Sequence, residues 1–198
     1  MLWKAMGAAL LAFATVQAGA TGLAGDAREL HDRVMKERDH HGRPFAIVDK
    51  KNARIFVFDS AGRVQGTSTV LLGQATGDDI APNVGEHAQQ GFVPFKERTT
   101  PAGRFASEPG TNKYGEQIIW VDYDSAFAIH RLRPGKSEKV RKAMMKLADP
   151  ALHRASYGCV VVPVKFYDEV VQRWLGRSRA TVYVMPEDRD ARDVFGDL

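Results

Sequence analysis

One short stretch joins the chain's only cysteine to the pattern of a buried strand: Ala155-Ser156-Tyr157-Gly158-Cys159-Val160-Val161-Val162-Pro163. Three consecutive valines between the cysteine and a proline are typical of a strand in a core. A helix is predicted to follow from Pro163 to Leu175, with Phe166, Val170 and Trp174 facing the core. The cysteine therefore directly precedes a core strand.

The rest of the chain predicts a mainly β domain with a few helices. Strands are expected at 45–49, 54–59, 64–72, 117–123, 126–130 and 180–185, and after the turn at Thr99–Phe105. A helix is predicted over 26–38, with Ala27, Leu30 and Val34 on one face. A second, capped by Ser137 and ended by Pro150, would place Val140, Ala143, Met144 and Leu147 on one face.

The N-terminus is typical of a secretory signal. Lys4 gives a positive start, Ala5–Val16 is a short apolar run, and Ala18-Gly19-Ala20 fits a small-residue cleavage site. An uncleaved anchor is the alternative. The expected organisation is a signal at 1–20, a helical lead-in at 21–44, a catalytic domain at 45–186 and a charged, fraying tail at 187–198.

The composition limits the kinds of partner that the protein is expected to bind. The chain has 28 Lys and Arg against 24 Asp and Glu, a net charge of +4, and the basic residues are scattered along it. This argues against a nucleic-acid partner. No later segment is apolar enough for stable membrane insertion after signal cleavage. The polar segment 73–100 is long enough to be a lid or a binding segment. Its Asp78-Asp79, its Glu86-His87 and the pair His40-His41 are expected to be solvated, with no metal-ligand spacing.

The lone cysteine is a candidate nucleophile. In an exported protein Cys159 cannot form an intrachain disulfide, and a catalytic thiol needs a base beside it. His130 ends the predicted strand 126–130, where catalytic groups are common. Gly158 would let the backbone turn and aim N–H groups at an oxyanion. The alternative is a satisfied edge histidine and a small core cysteine.

These residues resemble the catalytic domain of the L,D-transpeptidases (YkuD type). His130 matches the family's upstream histidine, the segment Ser156–Cys159 matches its Ser-His-Gly-Cys motif, and Thr100–Phe105 matches its Thr-Pro-x-Gly segment. The similarity covers roughly residues 45–186. Tyr157 departs from the motif's histidine. Two further departures are Val161, where Arg or Asn is common, and Arg131, where glycine or a hydroxyl residue is common.

The resemblance implies a curved, sandwich-like β domain and acyl transfer through a thioester on peptidoglycan stem peptides, in the periplasm or cell wall. It implies Cys159 as nucleophile, His130 as base, an oxyanion site and its support at Gly158, Tyr157, Ser156 and Arg131, and a substrate-binding segment at Thr100, Pro101 and Gly103. The Arg131 carbonyl would orient the histidine. No metal or other cofactor is implied. A hydrolase with the same Cys–His dyad, cleaving a stem peptide or a protein–peptidoglycan link, and a non-catalytic wall-binding module are the alternatives.

Overall fold

The computed structural model describes residues 22–23 and 25–196, so the predicted signal at 1–20 lies outside the described residues. Ten strands form in the described part: Arg154–Ser156 was not predicted, the predicted strand 64–72 is divided in two, and the others lie close to the predicted positions. The ten strands are β1 (Phe45–Asp49), β2 (Arg54–Phe58), β3 (Val64–Thr69), β4 (Leu72–Gly73), β5 (Gly103–Thr111), β6 (Gln117–Asp122), β7 (Phe127–Arg131), β8 (Arg154–Ser156), β9 (Val160–Val162) and β10 (Ala180–Val184).

Eight of these strands make one mixed sheet in the order β3-β2-β1-β10-β5-β6-β7-β9. β1 pairs with β10, and β7 with β9, in parallel; the other neighbours are antiparallel. β4 and β8 pair separately, also in parallel. Parallel neighbours need a crossover connection. The chain therefore leaves the C-terminal end of β7 and runs back to the level at which β7 begins, where it reaches the cysteine and enters β9.

The sheet is strongly curved. Val57 of β2 and Val160 of β9 lie near opposite ends of the strand order, yet both belong to one buried cluster. The sheet thus curls into a nearly closed, barrel-like shape around that cluster. The prediction of a mainly β domain with a curved sheet and a few helices is confirmed.

The helices are short and cover the sheet. They are α1 (Gly25–Glu37), α2 (Val84–Gln90), α3 (Glu138–Met144), a helix over 164–174 with a π-helical middle at Tyr167–Val171, and Ala191–Phe195; short 3-10 turns occur at Phe95–Glu97 and Pro150–Leu152. Ala27, Leu30 and Val34 of α1 are buried as predicted. Within the described residues, no helix is both long and apolar enough to cross a membrane.

The predicted core-facing residues Phe166, Val170 and Trp174 are partly buried and pack against the main core cluster, next to the fully buried Tyr167, Val171 and Leu175. Two local predictions are corrected. As far as residue 196 the tail is packed on the domain, because Phe195 is buried against the outer face of the sheet. His40 is buried too, with its Nε2 3.1 Å from the Ser60 carbonyl oxygen.

The predicted apolar face of α3 is also corrected. The helix ends at Met144, and Val140 and Leu147 are exposed. The residue that anchors this segment is Met145, which is buried in a small cluster with Leu71, Leu132 and Val161. The prediction assumed an α-helical period along the whole segment and therefore named residues on either side of Met145. The segment instead contacts the sheet through a single turn.

Candidate active site

The pairing of β7 with β9 brings His130 and Cys159 to one face of the sheet. Ile129 pairs with Val160 and His130 with Val161. Paired residues on neighbouring strands point the same way, and side chains alternate along each strand. Cys159 directly precedes β9 and lies two positions before Val161, so continued alternation places it on the face of His130. By ordinary strand rise and spacing, the two Cα atoms are about 8 Å apart.

His130 is held in one tautomer. Its Nδ1 lies 2.8 Å from the carbonyl oxygen of Arg131, which can only accept a hydrogen bond, so Nδ1 carries the proton. Nε2 is left as an acceptor. Burial and the nearby Arg133 guanidinium lower the pKa of His130 to about 4. The imidazole is therefore neutral and able to accept a proton near pH 7.

The thiol of Cys159 is protonated in the resting protein. Its Sγ lies 3.6 Å from the carbonyl oxygen of Ala126, and the residue is partly exposed. Burial of the sulfur raises the pKa of the thiol, which outweighs the opposing effects of the Ala128 backbone and of Arg133. Any nucleophilic attack by Cys159 requires a base to take its proton during the reaction.

The turn that carries the cysteine is fixed by two hydroxyl groups. Ser156 Oγ donates to the Cys159 carbonyl at 2.6 Å and accepts from the Gly158 N–H at 3.1 Å. Thr100 Oγ1 donates to the Gly158 carbonyl at 2.8 Å and accepts from the Gly73 N–H at 2.8 Å. The cysteine therefore lies between a core strand and a turn that the hydroxyl groups of Ser156 and Thr100 hold in place.

Only glycine fits at position 158. Its φ is +127°, and a Cβ there would lie 2.9 Å from the carbonyl oxygen of Thr99. The expected oxyanion role of the Gly158 N–H is corrected, because that N–H is already bonded to Ser156 Oγ. The N–H of Cys159 itself is the backbone donor left at the nucleophile.

The predicted substrate-binding segment divides into separate roles. Pro101 lines the cavity beside the cysteine. Thr100 is fully buried and holds the turn, so it cannot contact a substrate. Gly103 begins β5, paired with Val184, and is not among the lining residues. The expectation for Thr100 is corrected, because a sequence motif does not separate the residues that line a cleft from those that support it; a role for Gly103 in substrate binding stays a prediction.

A small pocket of about 20 Å³ lies beside the cysteine turn, and its walls do not include Cys159 or His130. It is bounded on one side by Ala126 and Phe127 and on the other by Gly158, Tyr157 and the segment 80–101; its walls are mostly apolar, with Glu97, Thr99 and Ser125 as polar members. The long polar segment 73–100 contributes Ile80, Ala81, Val84, Glu97 and Thr99 to these walls.

The side chains of Tyr157 and Arg131 both lie against other residues rather than against His130. Tyr157 is 55 % exposed, and the guanidinium carbon of Arg98 lies 4.1 Å from the centre of its ring. In the described residues its hydroxyl has no hydrogen-bond partner. The Arg131 side chain points away from His130 and lies over the ring of Tyr167, so only its carbonyl serves the candidate site.

A buried ion-pair network beneath the site was missed by the sequence analysis. The Lys50 ammonium is fully buried and donates to Asp78 Oδ1 at 2.6 Å and to the carbonyls of Thr100 and Gly77 at 2.8 Å each. Glu187 Oε1 lies 3.5 Å from the same nitrogen. Lys50 therefore contacts the residue that holds the cysteine turn. Nothing in the sequence marks it, since a lysine beside a strand end is normally solvated.

Asp78 is the second surprise. The expectation of a solvated acidic loop is wrong at this residue, which is 5 % exposed and also accepts the backbone N–H groups of Glu187, Asp188 and Arg189. Burial alone would raise the pKa of Asp78, but the hydrogen bonds from Lys50 and from the backbone lower it. No metal-binding group of His, Cys, Asp or Glu side chains occurs in residues 22–23 and 25–196.

Comparisons with known proteins give similarity at the level of structure only. No family model matches the chain. No curated protein matches it either. The solved structures that resemble it include the following three. The Ldtfm–avibactam carbamoyl enzyme has a TM-score of 0.43 and 16 % identity, over 72 % of this chain and 49 % of that one. An L,D-transpeptidase from Xylanimonas cellulosilytica has 0.43 and 16 %, over 72 % and 60 %.

The third is the catalytic domain of an E. faecium L,D-transpeptidase, with a TM-score of 0.38 and 18 % identity, over 73 % of this chain and 98 % of that domain. This chain spans about half of the first structure's length and 60 % of the second's.

Proposed function

We propose that the protein is an exported cysteine acyltransferase that acts on peptidoglycan stem peptides, an L,D-transpeptidase. The observation that carries the proposal is the placement of Cys159 and His130 on one face of adjacent strands, with the free Nε2 of a neutral imidazole as the base. The match of the Ser-x-Gly-Cys and Thr-Pro-x-Gly segments to that family adds the substrate class.

In the first half-reaction His130 Nε2 takes the proton of the Cys159 thiol as the sulfur attacks the carbonyl carbon of the third stem residue. The carbon–sulfur bond forms and the carbonyl oxygen becomes an oxyanion. On collapse the bond to the terminal D-alanine nitrogen breaks, and the imidazolium gives its proton to that leaving amine. The product is a thioester on Cys159 and free D-alanine.

In the second half-reaction an amine of another stem attacks the thioester carbonyl. His130 takes a proton from that amine, the new amide forms, and the cysteine sulfur leaves and is protonated again. With water in place of the amine, the same steps release a shortened stem. The acceptor therefore decides between transferase and hydrolase.

The N–H of Cys159 is assigned as the hydrogen-bond donor that stabilises the oxyanion, since the N–H of Gly158 already bonds to Ser156 Oγ. One preorganised donor of this kind lowers the barrier by about 3 kcal/mol. The neutral resting pair also suits the chemistry, because the charges form only as the thiol attacks.

The experiment is mass spectrometry of purified muropeptides incubated with the protein, with Cys159→Ala and with His130→Ala. His41→Ala, which removes an exposed histidine, is the matched control. Dimers that appear with loss of D-alanine, and that need Cys159 and His130 but not His41, are the expected result. Cleavage without dimers moves the assignment to a hydrolase. No change with any protein contradicts catalysis and favours a wall-binding module.

A further inference from the structure

The positive charge of the protein is concentrated in one segment. Residues 131–155 contain eight Lys and Arg against two acidic residues, whereas the whole chain has 28 against 24. Four exposed lysines of this segment line one shallow surface groove with Gly135, Glu138 and Ala143; they are Lys136, Lys139, Lys142 and Lys146. This segment therefore presents a local cluster of lysines on the surface.

That face is held rigidly to the sheet. Met145 packs on Leu71 and Val161, and its carbonyl accepts a hydrogen bond from Thr69 Oγ1 at 3.0 Å. Arg141 donates to the Arg133 carbonyl at 2.9 Å. These contacts fix the inner side of α3 and leave its opposite side in water.

Two apolar side chains lie beside the lysines on the outer side. Val140 is 62 % exposed and Leu147, in the turn after α3, is 43 % exposed. At 3.6 residues per turn, Val140 is rotated by roughly 100° from Lys139 around α3. Lys146 and Leu147 are consecutive exposed residues in the turn after the helix. The outer side of this segment thus combines exposed lysines with exposed apolar side chains.

Most lysines of this face form no ion pair within the described residues. Lys142 pairs with Glu138 at 3.1 Å, but in the described residues Lys136, Lys139 and Lys146 have no ion-pair partner. A soluble polyanion would neutralise the lysines and leave Val140 and Leu147 in water. A bilayer with anionic headgroups satisfies both kinds of side chain, because phosphates meet the lysines while the apolar residues enter the interface.

We propose that α3 and the turn after it dock the protein peripherally on an anionic phospholipid surface. The proposal does not depend on the chemistry of Cys159. It needs no membrane-spanning helix, because the contact is confined to one outer side of a short segment.

Cosedimentation with vesicles tests it, using phosphatidylcholine alone and phosphatidylcholine with phosphatidylglycerol. The purified protein, its N-terminus established by mass spectrometry, is compared with Lys139→Glu/Lys146→Glu and with Val140→Ser/Leu147→Ser. The control is Lys51→Glu/Lys165→Glu, which changes two exposed lysines elsewhere by the same charge. All four proteins carry the same N-terminus, so differences report on α3.

Binding to the anionic vesicles is expected to weaken at least about 25-fold in Lys139→Glu/Lys146→Glu, from about fivefold for each lysine. The apolar variant should weaken by about fivefold or more, and the control should keep most of its affinity. Equal loss in the control overturns the proposal, as does no preference for anionic vesicles. Binding that ignores Val140→Ser/Leu147→Ser and is removed by soluble polyphosphate or nucleic acid assigns the face to a free polyanion and also overturns it.

Discussion

Replacing Thr100 with valine keeps the shape of the side chain and removes its hydroxyl. Thr100 is fully buried, and its Oγ1 bonds at 2.8 Å both to the Gly158 carbonyl and to the Gly73 N–H. Valine can make neither bond. The change therefore leaves one buried carbonyl and one buried N–H without a partner, and the carbonyl belongs to the residue before the nucleophile.

The expected loss follows from those two groups. A buried polar group left without its hydrogen bond costs about 1–3 kcal/mol, so Thr100→Val should lower the free energy of unfolding by about 2–6 kcal/mol. Activity should fall as well, because the Gly158 carbonyl no longer fixes the cysteine turn. A displacement of about 1 Å at a reacting group can cost about a hundredfold in rate.

Urea unfolding and steady-state kinetics measure the two effects, with Thr100→Ser as the matched control. Serine keeps the hydroxyl and loses one methyl group, which costs about 1 kcal/mol. Kinetics are compared where each variant is folded, and the fall should be in kcat more than in KM. Unfolding free energies of the valine and serine variants that agree within about 0.5 kcal/mol would refute the bridging role of this hydroxyl.

Three further predictions concern the surroundings of the thiol. Lys50→Met should lower the free energy of unfolding by about 3–5 kcal/mol, because it removes the buried cation of Asp78 and leaves only the half-exposed Arg189 at 3.6 Å; exposed Lys51→Met is the control, and a similar small loss in both would contradict the network. The acid limb of kcat/KM should fall near pH 4, since the pKa of His130 is lowered to about 4 and activity is lost only as pH drops through that value; a limb near pH 6.5 would contradict a buried neutral base. Gly158→Ala should abolish turnover and slow alkylation of the cysteine, because its Cβ would lie 2.9 Å from the Thr99 carbonyl oxygen; unchanged rates would show that the turn adapts.

The same low pKa links His130 to stability. The unfolded imidazole binds a proton below about pH 6.5, while the folded one remains neutral down to about pH 4. Between these values the unfolded state holds more protons, so stability falls as pH falls, by roughly 3 kcal/mol over the whole interval. His130→Gln should remove most of this slope in urea unfolding measured from pH 7 to pH 4.5. A slope that His130→Gln leaves unchanged would assign it to other groups.

Local patterns were enough to place most of the strands. Phe45–Asp49 and Ala180–Val184 are dense in β-branched and aromatic residues, and both form central strands where predicted. The two-residue strand Leu72–Gly73 and its partner Arg154–Ser156 were beyond this approach, because short polar strands have no period to detect.

The candidate dyad was predictable because its chemistry limits the residue types. A thiol, a preceding glycine and a histidine at a strand end form a recognisable set. The supporting contacts were not predictable, since they join distant parts of the chain: Lys50 meets Asp78 and Glu187, and Thr100 meets Gly158. Burial of a lysine or of an aspartate is decided by tertiary pairing, and that pairing leaves no periodic trace in the sequence.

The most direct test of the Cys159–His130 mechanism is intact-protein mass spectrometry after brief incubation with a stem tetrapeptide that ends in D-alanine. The account predicts a covalent adduct of the tripeptide acyl group that maps to Cys159, equimolar release of D-alanine, and neither signal in His130→Ala. Turnover that proceeds with Cys159→Ala, or an adduct at any other residue, would contradict it.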